Sequence, residues 1–275
     1  MIRSLLIFFL LFFSGVVSFA QAWQVQVIAP GLTWKKWHAD SLFGHPQHLN
    51  LLEVDMQKNE IAIAFCSDTL IPTSNLAQSA NAVAGVNGGF FDMKVGGSVT
   101  FLKVNGQIRQ HSRQKLIEEQ SEILKGAFWI DKNGAAFIQS GQPDSCYEQA
   151  RFHSVLLTGP LLMLEGEIIE LADRPFNTNR HPRTCACTTS DNTLLLLTVD
   201  GRTAESHGMT LPELSEFLKI LKCKNALNLD GGGSTTMWIQ GQPEGGIVNM
   251  PCDNRRFDHL GERSVANAII IRNKD

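Results

Sequence analysis

The sequence predicts an α+β fold: a single domain with a mixed β-sheet, a few helices and a pocket at the strand ends. Short apolar segments of strand length recur along the chain, with turn residues between them. Only two segments have the pattern of a longer helix, and helices do not alternate regularly with strands as in βαβ arrays. No internal repeat or low-complexity linker divides the chain, so we expect one domain.

The first 22 residues have the features of a secretory signal peptide. Arg3 carries a positive charge, an apolar run follows from Leu5 to Phe13, and small residues lead to Ala20-Gln21-Ala22. The run is shorter than a bilayer-spanning helix requires, and no later segment is apolar enough to cross a membrane. We therefore expect cleavage after Ala22 and a secreted or periplasmic domain over residues 23–275.

Charge and cysteine content narrow the class of ligand. The chain has 24 Lys and Arg residues against 27 Asp and Glu residues, a net charge of −3. This balance excludes the basic field that attracts nucleic acids or anionic membranes, so a phosphate has to be held by individual arginines and amides. Six cysteines follow the signal peptide, and the sequence leaves their pairing open. Cys185 and Cys187 share a strand face, but no second Cys or His pair accompanies them, which disfavours structural zinc.

The elements of the first third are mainly strands. Alternating residues predict strands at Gln24–Ile28, Leu51–Asp55 and Ile61–Phe65, the last two joined in a hairpin. A short helix is expected over Thr73–Ala82, because its first residues supply an N-cap. A buried strand at Ala82–Asn87 follows.

The rest of the chain repeats the hairpin pattern and adds one amphipathic helix. Hairpin turns are expected at Asn105-Gly106, Lys132-Asn133-Gly134 and Glu165-Gly166. Buried strands are expected at Val155–Leu157, Thr193–Val199 and Val265–Ile271. The helix is predicted over residues 211–222, where Leu214, Phe217, Leu218 and Leu221 share one face.

The most informative motif is a run of three glycines after a predicted strand that ends at Asn228-Leu229. Asp230 precedes Gly231, Gly232 and Gly233, and Ser234 and Thr235 follow them. Successive amides of this kind converge on anions in phosphate-binding nests. A tight glycine-rich turn explains one such motif equally well.

Three other polar clusters are predicted to follow buried strands. They are Asn87-Gly88-Gly89-Phe90-Phe91-Asp92, His181-Pro182-Arg183-Thr184 and Asp200-Gly201-Arg202. A turn or a solvated charge explains each cluster alone, but four such clusters together favour one pocket. Arg183 and Arg202 each offer a bidentate fork to a phosphate, and the glycine amides of both glycine runs offer further donors.

The remaining cluster residues fit a sugar. Asn87 and Asn228 suit hydroxyls, which need a donor and an acceptor. Asp230, and after it Asp200, are candidates for the general acid, the base or the nucleophile. Phe90, Phe91 and Trp238 are expected to form an apolar wall, and Ser234 and Thr235 complete the predicted binding residues. The composition predicts a site for a phosphorylated sugar.

In this order, the four clusters resemble the signatures of the phosphodiester glycosidase family, over about Val83 to Ile271. The most specific part of this resemblance is the order of three features: Asp-Gly-Arg, then a helix, then Asn-Leu-Asp-Gly-Gly-Gly-Ser. The resemblance implies hydrolysis of a sugar-1-phosphodiester at the glycosidic C–O bond, which releases the free sugar and a phosphomonoester. Cys185 and Cys187 depart from the small apolar residues that the family usually has after its Pro-Arg-Thr.

Two other functions remain open. One is a glycan- or wall-polymer-binding protein without activity on the same scaffold. The other is a metal-dependent phosphodiesterase, in which Asp92, Asp200 and Asp230 offer oxygen ligands to Ca²⁺ or Mg²⁺. No run of closely spaced acidic ligands supports this second alternative, and we expect no metal and no cofactor. The sequence does not identify the sugar or its aglycone.

Overall fold

The computed structural model describes residues 23–67 and 69–274, so the predicted signal peptide lies outside the described residues. Strands dominate this part of the chain. In chain order they are β1 (Gln24–Ala29), β2 (Leu32–Leu42), β3 (His45–Asp55), β4 (Asn59–Phe65), β5 (Ile71–Pro72), β6 (Ala84–Asn87), β7 (Leu102–Val104), β8 (Gln107–Gln110), β9 (Gly126–Ile130), β10 (Ala136–Ser140), β11 (Ser154–Thr158), β12 (Leu161–Leu164), β13 (Glu167–Ile168), β14 (Arg183–Thr188), β15 (Thr193–Val199), β16 (Asn225–Asn228), β17 (Met237–Ile239), β18 (Ser264–Val265) and β19 (Asn267–Asn273).

The helices are short. They are α1 (Thr73–Ser79), α2 (Gln114–Glu118), α3 (Asp144–Tyr147), α4 (Pro175–Thr178) and α5 (Leu211–Ile220). The N-terminus of α5 has a capping box, because the Thr210 hydroxyl accepts from the Glu213 amide and the Glu213 carboxylate accepts from the Thr210 amide. None of the described helices is long and apolar enough to cross a bilayer.

The strands form three larger sheets and one two-stranded ribbon. The eight-stranded sheet has the order β1-β2-β3-β15-β14-β16-β12-β13, the five-stranded sheet β10-β9-β11-β7-β8, and the four-stranded sheet β17-β6-β19-β4. The ribbon joins β18 to β5. In the eight-stranded sheet, the long neighbours β3 and β15 pair from Thr193↔Asp55 to Val199↔Leu49. The α+β prediction is confirmed, with the refinement that every pairing between described strands is antiparallel.

Alternation along the strands gives the eight-stranded sheet two apolar faces. One face packs on the two other large sheets, with Leu52 and Leu196 meeting Phe128 and Ile269 in the main core. The opposite face packs on α5, through residues such as Leu214 and Phe217. Burial of this kind contributes about 25 cal/mol per Å² of apolar surface, so the sheet faces are the main source of stability.

Two features of the fold differ from the sequence-based expectation. The long strand β2 and the first half of β3 were not predicted, because charged and His side chains interrupt the apolar alternation on their exposed face. His181 to Thr184 does not follow a strand but begins one. Since β14 and β15 are antiparallel and Arg183 pairs with Val199, the start of β14 still lies beside the end of β15.

One disulfide is formed in the described part of the chain. It joins Cys187 on β14 to Cys223, just after α5. Cys66, Cys146, Cys185 and Cys252 are free thiols. Cys185 is buried on the same face of β14 as Cys187, and burial raises the pKa of its thiol far above the usual range, which makes it unreactive.

Candidate active site

The candidate site forms where the ends of β6 and β16 meet. The side-chain Nδ2 of Asn87 donates to the main-chain oxygen of Asp230 at 2.6 Å, and the Asp230 amide donates to the Gly88 oxygen at 2.9 Å. Asn87 Oδ1 accepts from Thr184 Oγ1 at 2.7 Å and from the Thr236 amide at 3.1 Å. Asn87 is fully buried, so these bonds correct the expectation that it contacts a sugar hydroxyl. The Asn87 side chain instead connects the segments that contain Thr184, Asp230 and Thr236.

Gly88 and Gly89 also have a structural role. Their amides donate to Asn267, the first to its main-chain oxygen at 2.9 Å and the second to its Oδ1 at 2.7 Å. A Cβ on Gly88 would lie 2.1 Å from Asn267 Oδ1, so only glycine allows this close approach. The expectation that these two amides stay free for a phosphate is therefore wrong.

The three glycines after Asp230 lead into a 3₁₀ turn over Gly232–Ser234. The Gly231 amide donates to Asp230 Oδ1 at 3.0 Å, and the Gly232 amide donates to the Pro182 oxygen at 2.8 Å. Gly232 has φ +61°, a conformation that side chains disfavour. Within residues 23–67 and 69–274, the Gly233 amide makes no hydrogen bond. Of the three amides of the predicted nest, only the one on Gly233 is left without a partner in this part of the chain, and Gly233 is itself buried.

Two guanidinium groups lie against this turn. A Cβ on Gly232 would be 2.9 Å from Arg202 Nη2, and a Cβ on Gly233 would be 2.4 Å from Arg263 Nη2. Arg202 is exposed, whereas Arg263 is half-buried and pairs with Asp253 at 2.5 Å. A Cβ on Gly233 would also lie 2.6 Å from Asp253 Oδ1, so the charge of Arg263 is partly compensated there and the guanidinium of Arg202 is the unpaired positive charge at the turn. Sequence reasoning missed Arg263, because it lies in an irregular loop where no local pattern marks it.

Arg183 does not join them. It is 2% exposed, and it donates to the main-chain oxygens of Met209, Phe176 and Asn179, each at 2.9 Å. Buried backbone carbonyls take the donors of Nε and Nη2, and Nη1 is left as the one guanidinium nitrogen without a partner among the described residues. A fork to a phosphate needs two free nitrogens, so this prediction is contradicted. Its role is to hold α4 and the segment before α5 against β14.

Asp230 is the carboxyl group nearest the glycines and arginines. It is half-buried, and burial raises the pKa of its carboxyl to about 6. The Ser234 hydroxyl, the Gly231 amide and the positive charge of Arg263 oppose this rise. A carboxyl group with a pKa near neutrality is suited to accept a proton during catalysis.

Asp200 is a buried structural acid. It is 1% exposed, its Oδ2 lies 2.7 Å from His48 Nδ1, and its Oδ1 accepts from Asn249 Nδ2 and from the Met250 amide. Both oxygens are therefore engaged, which corrects its assignment as the second catalytic candidate. Asp92 lies elsewhere, in an ion pair with Arg113 at 2.6 Å. Among the described residues, no group of three or more His, Cys, Asp and Glu side chains is arranged to hold a metal ion.

The other predicted binding residues divide between the mouth and the interior. Asn228, Ser234 and Thr235 are each 1% exposed or less, so they lie beneath the surface, and each has one buried side-chain oxygen without a hydrogen-bond partner among the described residues. Phe90 is half-buried and faces Phe176, with ring centroids 6.1 Å apart. Phe176 is exposed and was not predicted, whereas Trp238, which was expected beside Phe90, is only 3% exposed.

His181 lies beside Arg202. Its Nδ1 is 3.5 Å from Arg202 Nη2, and because a guanidinium only donates, the ring nitrogen is the acceptor. Burial lowers the pKa of His181, and the charges of Arg183 and Arg202 lower it further. His181 is therefore neutral at pH 7 and leaves the positive charge of the site to the arginines.

The chain resembles known proteins in sequence over most of its length. Residues 80–272 match the family "Phosphodiester glycosidase". N-acetylglucosamine-1-phosphodiester alpha-N-acetylglucosaminidase from Bos taurus is 31% identical over 133 residues, which is 48% of this chain and 21% of the relative. The protein of the same name from Mus musculus is 26% identical over 189 residues, 69% of this chain and 31% of the relative. This chain thus spans about a fifth to a third of the length of these relatives.

Solved structures share the fold. The zebrafish N-acetylglucosamine-1-phosphodiester alpha-N-acetylglucosaminidase catalytic domain, auto-inhibited by pro-peptide, superposes with a TM-score of 0.70 at 20% identity, covering 92% of this chain and 89% of that one. A hypothetical protein from Synechocystis superposes with a TM-score of 0.73 at 14% identity, covering 92% and 64%. The family match includes all four clusters as well as Arg263. The chain therefore belongs to the phosphodiester glycosidase family.

Proposed function

We propose that this protein is an exported hydrolase that cleaves the glycosidic C–O bond of a sugar-1-phosphodiester and releases free sugar and a phosphomonoester. The observation that carries the proposal is the placement of Asp230, with a pKa of about 6, next to a glycine turn bordered by Arg202 and Arg263. The family membership supports the reaction class. The disulfide between Cys187 and Cys223 and the predicted signal peptide support export to a secreted or periplasmic location.

The two arginines and the Gly233 amide act on the phosphate. Negative charge grows on the departing phosphate oxygen as the C–O bond breaks, and fixed donors that face this charge lower the barrier. Arg202 supplies an exposed fork at the mouth. Arg263 is held by Asp253, so its guanidinium is oriented before the substrate arrives. A phosphate leaving group stabilised in this way needs no proton from a general acid.

Asp230 acts at the anomeric carbon. In its ionised form it either takes a proton from the attacking water or attacks directly, and the hydrogen bond from the Gly231 amide orients its Oδ1. Phe90 and Phe176 offer an apolar wall to the sugar. The substrate is a small-molecule or glycan sugar phosphodiester, and the reaction requires no metal ion or other cofactor.

The test is a screen of sugar-1-phosphodiesters with the purified protein for released reducing sugar, with and without a chelator. We expect release that the chelator does not reduce, and in ¹⁸O water the label enters the sugar. Binding without release would instead identify a glycan-binding protein. Label in the phosphate, together with loss of activity in the chelator, would identify a metal-dependent phosphodiesterase.

A further inference from the structure

A second polar pocket lies on the far side of Asp200. It has a volume of about 270 Å³, and its walls include Trp34, Lys36, His48, Glu244, Met250 and His259. We name it the His48 pocket. Trp34, Lys36 and His48 come from β2 and β3, which precede the region matched to the family. The pocket is thus built partly by residues outside the family match.

The two histidines of this pocket are held in one tautomer. His48 Nδ1 lies 2.7 Å from the Asp200 carboxylate, and His259 Nδ1 lies 2.8 Å from the main-chain oxygen of Asn249. A carboxylate and a carbonyl only accept hydrogen bonds, so each Nδ1 carries the hydrogen. In the neutral rings each Nε2 is then an acceptor, and neither has a hydrogen-bond partner among the described residues. Side chains fixed from behind in this way are oriented for a ligand.

The other walls favour an uncharged ligand. Lys36 and Glu244 are the two charged residues of the walls and have opposite signs. The Asp200 carboxylate behind His48 is engaged in hydrogen bonds, so the walls select neither an anion nor a cation. Trp34 and Met250 add apolar surface beside donors and acceptors of both kinds. Hydroxyl groups both donate and accept, and a cavity of 270 Å³ has room for one sugar ring but not for a long oligosaccharide.

We propose that the His48 pocket binds one neutral sugar residue, as a site separate from the one that holds Asp230. The loop over residues 249–263 borders both sites. At one end the Met250 amide donates to Asp200, and two residues later Cys252 Sγ lies 4.0 Å from Arg202 Nη1. A glycan that carries the phosphodiester is therefore held by a second sugar close to the reacting one. Sugar binding in this pocket does not require hydrolysis, so it can be tested separately from the proposed reaction.

The indole N–H of Trp34 is the probe for this pocket. It donates to Asn50 Oδ1 at 3.1 Å and gives a defined NMR signal, which Trp34→Phe assigns by its loss. The full-length mature protein is titrated with the methyl glycosides of glucose, galactose, mannose and N-acetylglucosamine, and separately with inorganic phosphate. We expect at least one glycoside, and not phosphate, to shift the signal saturably with a Kd of about 1 mM.

Two conservative variants and one control complete the test. Asparagine keeps a donor near the position of Nδ1 but has no atom at Nε2, so His48→Asn and His259→Asn preserve the supporting bonds. We expect each to raise the Kd about tenfold or more, because each removes one hydrogen bond to the sugar. His38→Asn, whose ring is 5.8 Å from that of His48, should leave the Kd unchanged. The proposal fails if no glycoside shifts the signal, if phosphate does, or if binding survives in both variants with melting temperatures near wild type.

Discussion

Asn87 Nδ2 and the main-chain oxygen of Asp230 are joined by a hydrogen bond of 2.6 Å, which connects two strand ends that are 143 residues apart in the chain. Because Asn87 also binds Thr184 and Thr236, one buried side chain fixes the backbone on which the candidate catalytic carboxyl is carried. The precision of the site therefore depends on residues that touch no substrate. This distinction between supporting and contacting residues determines the mutational behaviour expected below.

Asp230→Asn should lower kcat by about a thousandfold or more while the protein stays folded, because the amide cannot accept a proton or attack carbon. The same change should stabilise the protein at pH 7. Since the folded-state pKa of about 6 exceeds the unfolded value, the folded state binds more protons between pH 4 and 6, and wild-type stability falls across that range. Asparagine does not ionise, so the variant avoids this loss in the free energy of unfolding, which amounts to about 1–3 kcal/mol.

Melting temperatures at pH 4 and pH 7, measured beside turnover, test both effects. Asp173→Asn, an exposed acid without a role in the site, is the matched control. Turnover close to wild type in folded Asp230→Asn would remove Asp230 from the mechanism.

The activity of the wild-type protein should depend on the ionised form of Asp230. We expect kcat/KM to rise about tenfold per pH unit below pH 6 and to level off above it, since this ratio reports ionisations of the free enzyme. His181→Gln should keep this acidic limb of the pH profile, because the rise in kcat/KM follows the ionisation of Asp230 and not that of His181. A limb that disappears in the histidine variant would assign the titration to His181 instead.

The three arginines should separate into two kinds. Arg202→Lys and Arg263→Lys should raise KM about tenfold or more with little change in melting temperature, because an ammonium cannot reproduce the planar fork. Arg183→Lys should lower the free energy of unfolding by about 2–4 kcal/mol, since it leaves buried carbonyls without donors. Steady-state kinetics and thermal melts distinguish the two, with Arg255→Lys as an exposed control on the same loop. An unchanged KM in Arg263→Lys would exclude that residue from phosphate binding.

Gly232→Ala should impair activity more than stability. The substitution strains a residue at φ +61°, which costs about 1–2 kcal/mol, and its Cβ also displaces the Arg202 guanidinium 2.9 Å away. Gly241→Ala is the matched control, because Gly241 has φ +76° and nothing lies within 4 Å of its added Cβ. Both variants should lose similar stability, but only Gly232→Ala should lose specific activity. Equal specific activities in the two folded variants would mean that the glycines form a turn and nothing more.

Loss of the disulfide should affect stability alone. Cys187 and Cys223 are 36 residues apart, so replacing both by serine should lower the free energy of unfolding by about 3–4 kcal/mol through the entropy of the unfolded chain. The bond joins β14 to the end of α5 within the core cluster that packs on this helix, and neither cysteine contacts the site residues, so kcat at a permissive temperature should not change. Chemical denaturation measures the difference, and Cys146→Ser controls for thiol replacement. A parallel fall in kcat would show that the bond also positions the site.

Local sequence patterns determined the element types and pointed to Asp230 as the candidate catalytic residue. Alternating apolar residues and turn residues are local signals, and they were sufficient for strands such as β15 and for the helix α5. Asp230 was recognised because a carboxyl followed by three glycines has few structural explanations. The N-terminal strand β2 was not predicted, since its exposed face carries charges that hide the alternation.

Only the tertiary structure decided which of the polar residues near the strand ends face a ligand. Asn87, Arg183 and Asp200 have the residue types of a binding site, yet burial against main-chain groups and His48 turns them into supports. Arg263 lies in a loop with no local signal and reaches the glycines only because that loop folds over them. A sequence specifies what a side chain offers chemically. The groups that bind its donors and acceptors come from distant segments, because most buried polar groups are paired with whatever the fold places beside them.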